Sequence, residues 1–349
     1  MKNNKLTIWG ILISVPLLFS MASINPLAAQ TSKGFFAGKT ITLLVGSSAG
    51  GGTDNTARLI ARHIVKHIPG NPRINVSNMA GAGGMRVANH LYNRVEPDGL
   101  TWSTMNTGAL FGTATGNPAL KFELEKFIWI GQALDEAQVV YVRSATPYTS
   151  FEAIKKANKE GKRPKMGAQA KNHNSNVVVK IVEQVLDVEF NVVYGYPGTP
   201  EIMLDIERGA LDGRSQGTGS LLSTRRNWID SGFIKFLVTS KNTRDERLPQ
   251  VPSISELAPS GNKPLLSALY SVQNVGRSIV MPPKVPADRV KVLRDAFAAM
   301  TKDPEFLKEG DKLGLEIGLV RGDEMNRDIE ETLNDKKLMA LYKKILTAP

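Results

Sequence analysis

Apolar and polar positions along this chain alternate between two rhythms. Thr40 to Val45 is a continuous apolar run of the kind carried by a strand buried on both faces. It feeds a glycine-rich turn. From Asn55 to Ile68 the residues Ala57, Leu59, Ile60, Ile64, Val65 and Ile68 then recur at helical spacing, until Pro69-Gly70 stops them. The cycle repeats with Ile74 to Val76 as strand and Met85 to Arg94 as helix, and after the turn Pro97-Asp98-Gly99 with Leu100 to Met105 as strand. Short connections between alternating strands and helices predict an α/β lobe with a largely parallel sheet, whose ligands bind at the carboxyl ends of the strands.

A second lobe is expected to open near Val139. Val139 to Val142 reads as strand, Thr149 with Glu152 as a capping box, and Phe151 to Glu160 as a helix ended by Gly161. Lys165 to Ala168 is a further strand, followed by the polar turn Gln169 to Ser175 and a helix whose Val177, Val178, Ile181, Val182, Val185 and Leu186 share one face. Val188, Phe190 and Val192 alternate as in a strand. The turn Tyr194 to Thr199 leads into a helix with Thr199 as cap and Pro200 at its first position. Phe233 to Ser240 then carries the chain back. Beyond it, Leu248 to Pro264 reads as irregular surface, Ser278 to Met281 as strand, Ala287 to Met300 as helix and Asp323 to Leu346 as one closing helix.

The two glycine-rich turns, Gly46 to Thr53 and Asn78 to Gly84, suggest the chemistry. A strand, tight turn and helix in that order leave N–H groups at the helix start without an intrahelical partner, backed by the positive end of the helix dipole. Two such turns close in sequence are expected to grip one anionic group, and the reading is capture of a small carboxylate without chemistry upon it. Composition narrows the class. The 349 residues contain no cysteine, which excludes disulfides, thiolate metal sites, a cysteine nucleophile and lipid attachment at an amino-terminal Cys. Lys2 and Lys5, the apolar run Leu6 to Phe19, and the small residues Ala28 and Ala29 read as an export signal over 1–30, cleaved near Ala29/Gln30, with an uncleaved anchor as the alternative. Removing those two lysines from the 44 Lys+Arg leaves 42 against 33 acidic residues, a formal +9 that steers anions toward a cleft. Nucleic acid is not an expected partner, because the densest basic run, Lys159 to Lys165, lacks interleaved aromatics.

Rival motifs are present but incomplete. Gly46-Ser47-Ser48-Ala49-Gly50 matches the G-x-S-x-G elbow of serine hydrolases and would make Ser48 a nucleophile. That fold supplies its histidine late in the chain, and none of the four histidines lies after His173. Gly52 stands where a phosphate-binding loop needs its lysine, and Arg86 where a dinucleotide fingerprint needs its last glycine, so no cofactor is expected. His63 and His67 have the spacing of a zinc pair without the adjacent glutamate, and read as a solvated helix face; no metal is expected. Asp54 either caps its helix and ties the turns together or meets an amino group on a ligand. Tyr194 and Tyr196 either line a pocket or pack.

The strand, the SSAGGGTD turn, the NMAGAGG turn and PDGLTWSTMNTG together resemble the amino-terminal half of the extracytoplasmic receptors of tripartite tricarboxylate transporters, the Bug-type solute-binding proteins. Tyr196-Pro197-Gly198-Thr199, Arg208 to Gly213, Leu248 to Pro252 and Met281 to Pro286 continue the likeness in order. The resemblance implies a two-lobed periplasmic binding protein fold of type II-like α/β architecture, each lobe a mixed, mostly parallel sheet flanked by helices, with two crossing strands as hinge. Lobe 1 would comprise 31–140 and 240–349, and lobe 2 141–239. It implies a periplasmic receptor, not an enzyme, that closes as a monomer over a small anionic solute and delivers it to membrane permease subunits.

Carried over by position, the first lobe's site would be Ser47, Ser48, Gly51, Gly52 and Asp54, then Gly81, Ala82, Gly83 and Gly84, and Thr107. The second lobe would add His173, Asn174, Ser175 and Asn176, Gly198 and Thr199, and Ser215. The sequence departs from the family pattern at Gly46-Ser47, at Met79-Ala80 and over Ala170 to Asn176, where His173 adds a charge-tunable donor.

Overall fold

In the computed structural model, which describes residues 32–134, 137–273 and 275–347, the apolar runs form two sheets. In chain order the strands are β1 (Thr40–Val45), β2 (Arg73–Asn78), β3 (Thr101–Met105), β4 (Ile128–Leu134), β5 (Gln138–Arg143) and β6 (Lys165–Gly167). They continue with β7 (Asn191–Val193), β8 (Gly213–Gly217), β9 (Ile234–Thr239), β10 (Ser278–Met281) and β11 (Ile317–Arg321). The first sheet runs β11-β4-β10-β3-β1-β2 and the second β7-β6-β8-β5-β9. β1 pairs in parallel with β2 and β3, as strands joined through helices must, whereas β10 and β11 return antiparallel against β4. In the second sheet β6 lies parallel to β7 and β8, and β5 antiparallel to β8 and β9. The chain passes from the first sheet to the second between β4 and β5, and returns after β9. The export signal expected over 1–30 lies outside the described residues.

Each sheet is closed by helices whose apolar stripes were visible in the sequence. The Gly52–Ile64 helix buries Leu59, Ile60 and Ile64 against Ile41, Leu43 and Val45 of β1, and Phe297 of the Ala287–Met300 helix joins the same core. In the second lobe the Asn174–Leu186 helix buries Val177, Ile181 and Val185 beside Met166 and Val140. At about 1.5–3 kcal/mol for each fully buried large aliphatic side chain, such stripes dominate the folding energy. The Lys336–Thr347 helix closes the molecule: the Tyr342 ring meets Phe111 of the Gly108–Thr115 helix edge-on at 4.9 Å, while the Ile345 carbonyl accepts from Gln184 on the Asn174–Leu186 helix. One carboxy-terminal helix thereby touches helices of both lobes.

Several elements differ from expectation for local reasons. The Phe151–Lys159 helix is capped by Ser150, whose hydroxyl accepts from the Ala153 N–H, one residue later than the expected cap. The closing helix is two, Gly322–Asn334 and Lys336–Thr347, because Asp335 leaves helical geometry and its carboxylate accepts from the N–H groups of Lys337 and Leu338. The stretch Leu248 to Pro264, expected to be irregular, holds the helical turn Ile254–Leu257, fixed by a Ser253/Glu256 capping box, then the turn Ser260–Asn262 and the start of the helix Lys263–Gln273.

Candidate functional site

The lobes meet over a small cavity into which three helix starts point. Thr53 lines it from the Gly52–Ile64 helix, Asn174 and Ser175 from the Asn174–Leu186 helix, and Thr199 from the Thr199–Glu207 helix. No side chain caps the first or the third of these helices, so their leading N–H groups keep their donor capacity, and each start carries about half a positive charge. The cavity measures about 40 Å³, and at roughly 10–15 Å³ per water it suits a group of about three or four water-sized units.

Thr53 apart, the two glycine-rich turns do not line this cavity, contrary to the expectation that their amides face a shared guest. They seal the lobes around it. Ser48 packs on Gly198, where an added Cβ would lie 2.8 Å from the Ser48 Cβ. Gly51 faces Thr199 and Pro200, and a Cβ on Gly52 would sit 2.1 Å from the Ser220 hydroxyl. Gly83, at φ +61, presses against Ala170, and its carbonyl accepts from Asn106 at 2.7 Å; the Gly84 N–H is taken by the Gly81 carbonyl at 3.0 Å, with Ala82 between them. Close approach of two backbones explains why these positions carry no side chain.

Asp54 is buried inside the first turn and accepts from the Gly50 N–H, Arg58 Nε and Asn78 Nδ2, each at 2.9 Å. Burial alone would raise its pKa, but the hydrogen bonds from Arg58, Gly50 and Asn78 outweigh it and hold the carboxylate below its ordinary range. Of its expected roles, the tie between the two turns is found, through Asn78, whereas the cap is not: Gly51 opens the helix without a side-chain cap. Ser47 is buried, and its carbonyl accepts from Asn78.

The other expected residues divide in the same way. His173, Asn174, Ser175 and Thr199 line the cavity. Thr107 bridges the lobes instead, donating to Asn174 Oδ1 at 2.8 Å, and Asn172 does likewise to the Gly108 carbonyl at 2.8 Å. Asn176 donates to the Lys171 carbonyl and accepts from Tyr194, while Ser215 is buried in β8. Tyr196 donates to Asp205 at 2.7 Å, so both tyrosines pack rather than line the cavity.

What the sequence reading missed are the charges. Arg214 on β8 is 2 % exposed and lines the cavity; its Nε donates to the Ser215 carbonyl at 3.0 Å, and its Nη1 has no hydrogen-bond partner among the described residues. No described carboxylate pairs with it. Burial pulls its pKa down, yet a guanidinium remains charged in protein interiors. Arg277 reaches the cavity from the first lobe, on a left-handed backbone (φ +53) that a non-glycine residue adopts only at a cost. His173 answers both. Burial first, and then the fields of Arg214 and Arg277, push its pKa down to about 3. Its Nδ1 accepts from the Ser175 N–H at 3.2 Å, so the neutral ring carries its proton on Nε2 and is a fixed donor rather than a tunable one.

Gln169, Gln216, Gly217 and Ser220 complete the second-lobe wall, Asn106 and Gly276 the first, and Gln138, the first residue of β5, lies where the chain crosses between the sheets. Among the described residues the lining contains no aliphatic side chain, and no aromatic ring but the His173 imidazole. Such a shell binds a small, strongly hydrogen-bonding anion.

The rival sites are accounted for elsewhere. The helix after Ser48 begins only at Gly52, Ser48 is not among the residues with positive φ, and none of the described histidine contacts reaches it, so the strained elbow of a hydrolase is not formed. His63 and His67 are not solvated as expected: their Nε2 atoms meet Glu309 at 2.6 Å and Asp303 at 2.9 Å. His63, Asp303 and Glu305 cluster closely enough for a metal ion, but Lys66 already occupies both of those acids, at 2.8 Å from Asp303.

Comparison with known proteins agrees with this architecture. The family model described as "Tripartite tricarboxylate transporter family receptor" matches residues 56–345. A protein of Agrobacterium vitis, named UPF0065 protein in the TAR-I ttuE-ttuC' intergenic region, is 26 % identical over 297 residues, spanning 84 % of this chain and 80 % of that protein. Among solved structures, the periplasmic binding protein BugD superposes with a TM-score of 0.73 at 21 % identity, over 88 % of this chain and 97 % of its own. MatC (Rpa3494) from Rhodopseudomonas palustris with bound malate superposes with a TM-score of 0.71 at 18 % identity, over 88 % of this chain and 99 % of its own.

Proposed function

This chain belongs to the tripartite tricarboxylate transporter family of receptors, and on that premise we propose that it captures a small carboxylate in the cavity between its lobes and hands it to the membrane subunits of such a transporter. It is an extracytoplasmic solute-binding receptor and not an enzyme. The reading extends to a periplasmic monomer with lobes at 31–140 plus 240–349 and at 141–239. Malate in the R. palustris protein MatC, and adipate in a second R. palustris protein of the same fold, Rpa4515, support the carboxylate class.

The single observation that carries the proposal is Arg214. A buried guanidinium without a counter-charge among the described residues costs several kcal/mol, which a carboxylate bound to it offsets. Arg214 belongs to the second lobe, while Thr53 and Arg277 belong to the first. Lobe closure around an anion therefore brings donors together that repel one another without it, and this difference between states is what lets the ligand drive closure. Isothermal titration of the mature protein with short carboxylates tests the reading. Saturable binding that Arg214→Met removes is expected; wild-type protein that binds no carboxylate overturns it.

A further inference from the structure

We infer that the ligand is a short hydroxy-carboxylate, of about two or three carbons by the size of the cavity, in which the hydroxyl is read by Gln169. The inference rests on the carboxylate reading above and adds the substrate class.

The donors facing the cavity match a carboxylate: the Arg214 guanidinium and His173 Nε2 on lining side chains, and the Asn174 side-chain N–H₂, whose partner atom Oδ1 alone is committed, to Thr107. Gln169 is different. It lies at the end of β6, is 7 % exposed, and uses its backbone N–H toward Ser175, but its carboxamide makes no hydrogen bond among the described residues. Whichever way round that amide is turned, it carries both a donating N–H₂ and an accepting carbonyl. A carboxylate is acceptor-only and satisfies the donor half. The acceptor half needs an O–H, and an alcohol beside the carboxylate provides it.

Two neighbouring carboxamides are already committed. Gln216 Oε1 accepts from Tyr141 at 2.8 Å and its Nε2 donates to Ser220 at 3.0 Å; Asn106 holds the Gly83 carbonyl and accepts from the Gly108 N–H. A methylene chain or aromatic ring in this cavity would bury the Gln169 carbonyl without a donor and meet no apolar side chain in return.

The experiment compares matched acids on the mature chain by titration calorimetry: glycolate against acetate, lactate and glycerate against propionate, with adipate and benzoate as long and aromatic controls. Each hydroxy acid is expected to bind at least about tenfold more tightly than its deoxy partner, the cost of one buried unpaired polar group. In Gln169→Met that ratio is expected to fall to about one; being a ratio, it is insensitive to the fraction of folded protein. Deoxy, long or aromatic acids binding as tightly as the hydroxy acids, or an unchanged ratio in the variant, overturns the assignment while leaving the carboxylate reading intact. Absence of binding by every acid overturns both.

Discussion

Arg214→Met separates a ligand-binding charge from a structural one, because the two roles give opposite signs. The replacement is of similar length and removes a guanidinium that is 2 % exposed, with Nη1 unpartnered among the described residues. Among the described residues the hydrogen bond lost is from Nε to the carbonyl of the adjacent Ser215, a minor term. Truncating one partner of a buried charge pair costs about 2–5 kcal/mol, so carboxylate affinity should drop by roughly 30- to several-thousand-fold. Without ligand the effect reverses: replacing a desolvated charge by an apolar group is neutral or stabilising by about 1–4 kcal/mol, and here that gain falls to the closed state. Calorimetry measures the affinity, and small-angle scattering of ligand-free protein measures closure. The variant should bind weakly and be more compact than wild type when empty. Undiminished carboxylate binding, or a variant more open than wild type, refutes the reasoning.

Further expectations follow from the same geometry. Gly198→Ala places a methyl 2.8 Å from the Ser48 Cβ and 3.0 Å from its backbone nitrogen, so the lobes cannot close fully; ligand affinity should fall by about tenfold or more at nearly unchanged thermal stability, within the about 1–3 kcal/mol typical of overpacking. For His173, pushed down to about 3 in the closed state against an ordinary value near 6.5, the open state binds the extra proton between those limits. Ligand-free closure should therefore weaken as pH falls below about 6.5, by up to roughly 1.4 kcal/mol per unit, and His173→Gln should remove that dependence in scattering measurements. A fluorophosphonate probe should leave Ser48 unlabelled, whereas stoichiometric labelling would revive the hydrolase reading.

The fold was legible wherever periodicity was strong. β1, the stripe from Ala57 to Ile64 and the Ala287–Met300 helix could be read directly, because their burial follows one rhythm. β4 escaped because Gly131 and Gln132 interrupt its apolar run, although both are buried. Asp335 escaped because its cap role lies in local side-chain geometry inside an otherwise continuous charged stripe. The site was half legible. Helix starts at His173 to Ser175 and at Thr199 carry turn chemistry that sequence displays, and they do line the cavity. The glycines were visible too, but a glycine signals close backbone approach without saying to what, and here it is the opposite lobe. Arg214 and Gln169 belong to no periodic pattern. The one hint was an arginine set in the short strand Gly213–Gly217, among small and polar residues, directly before a helix start.

The most direct test is a crystal structure of the protein with a short hydroxy-carboxylate bound. The account predicts one ligand between the lobes, its carboxylate within hydrogen-bond distance of the Arg214 guanidinium and its hydroxyl on Gln169. A ligand held by the Gly81–Gly84 turn, or Arg214 paired with a protein carboxylate in that complex, would contradict it.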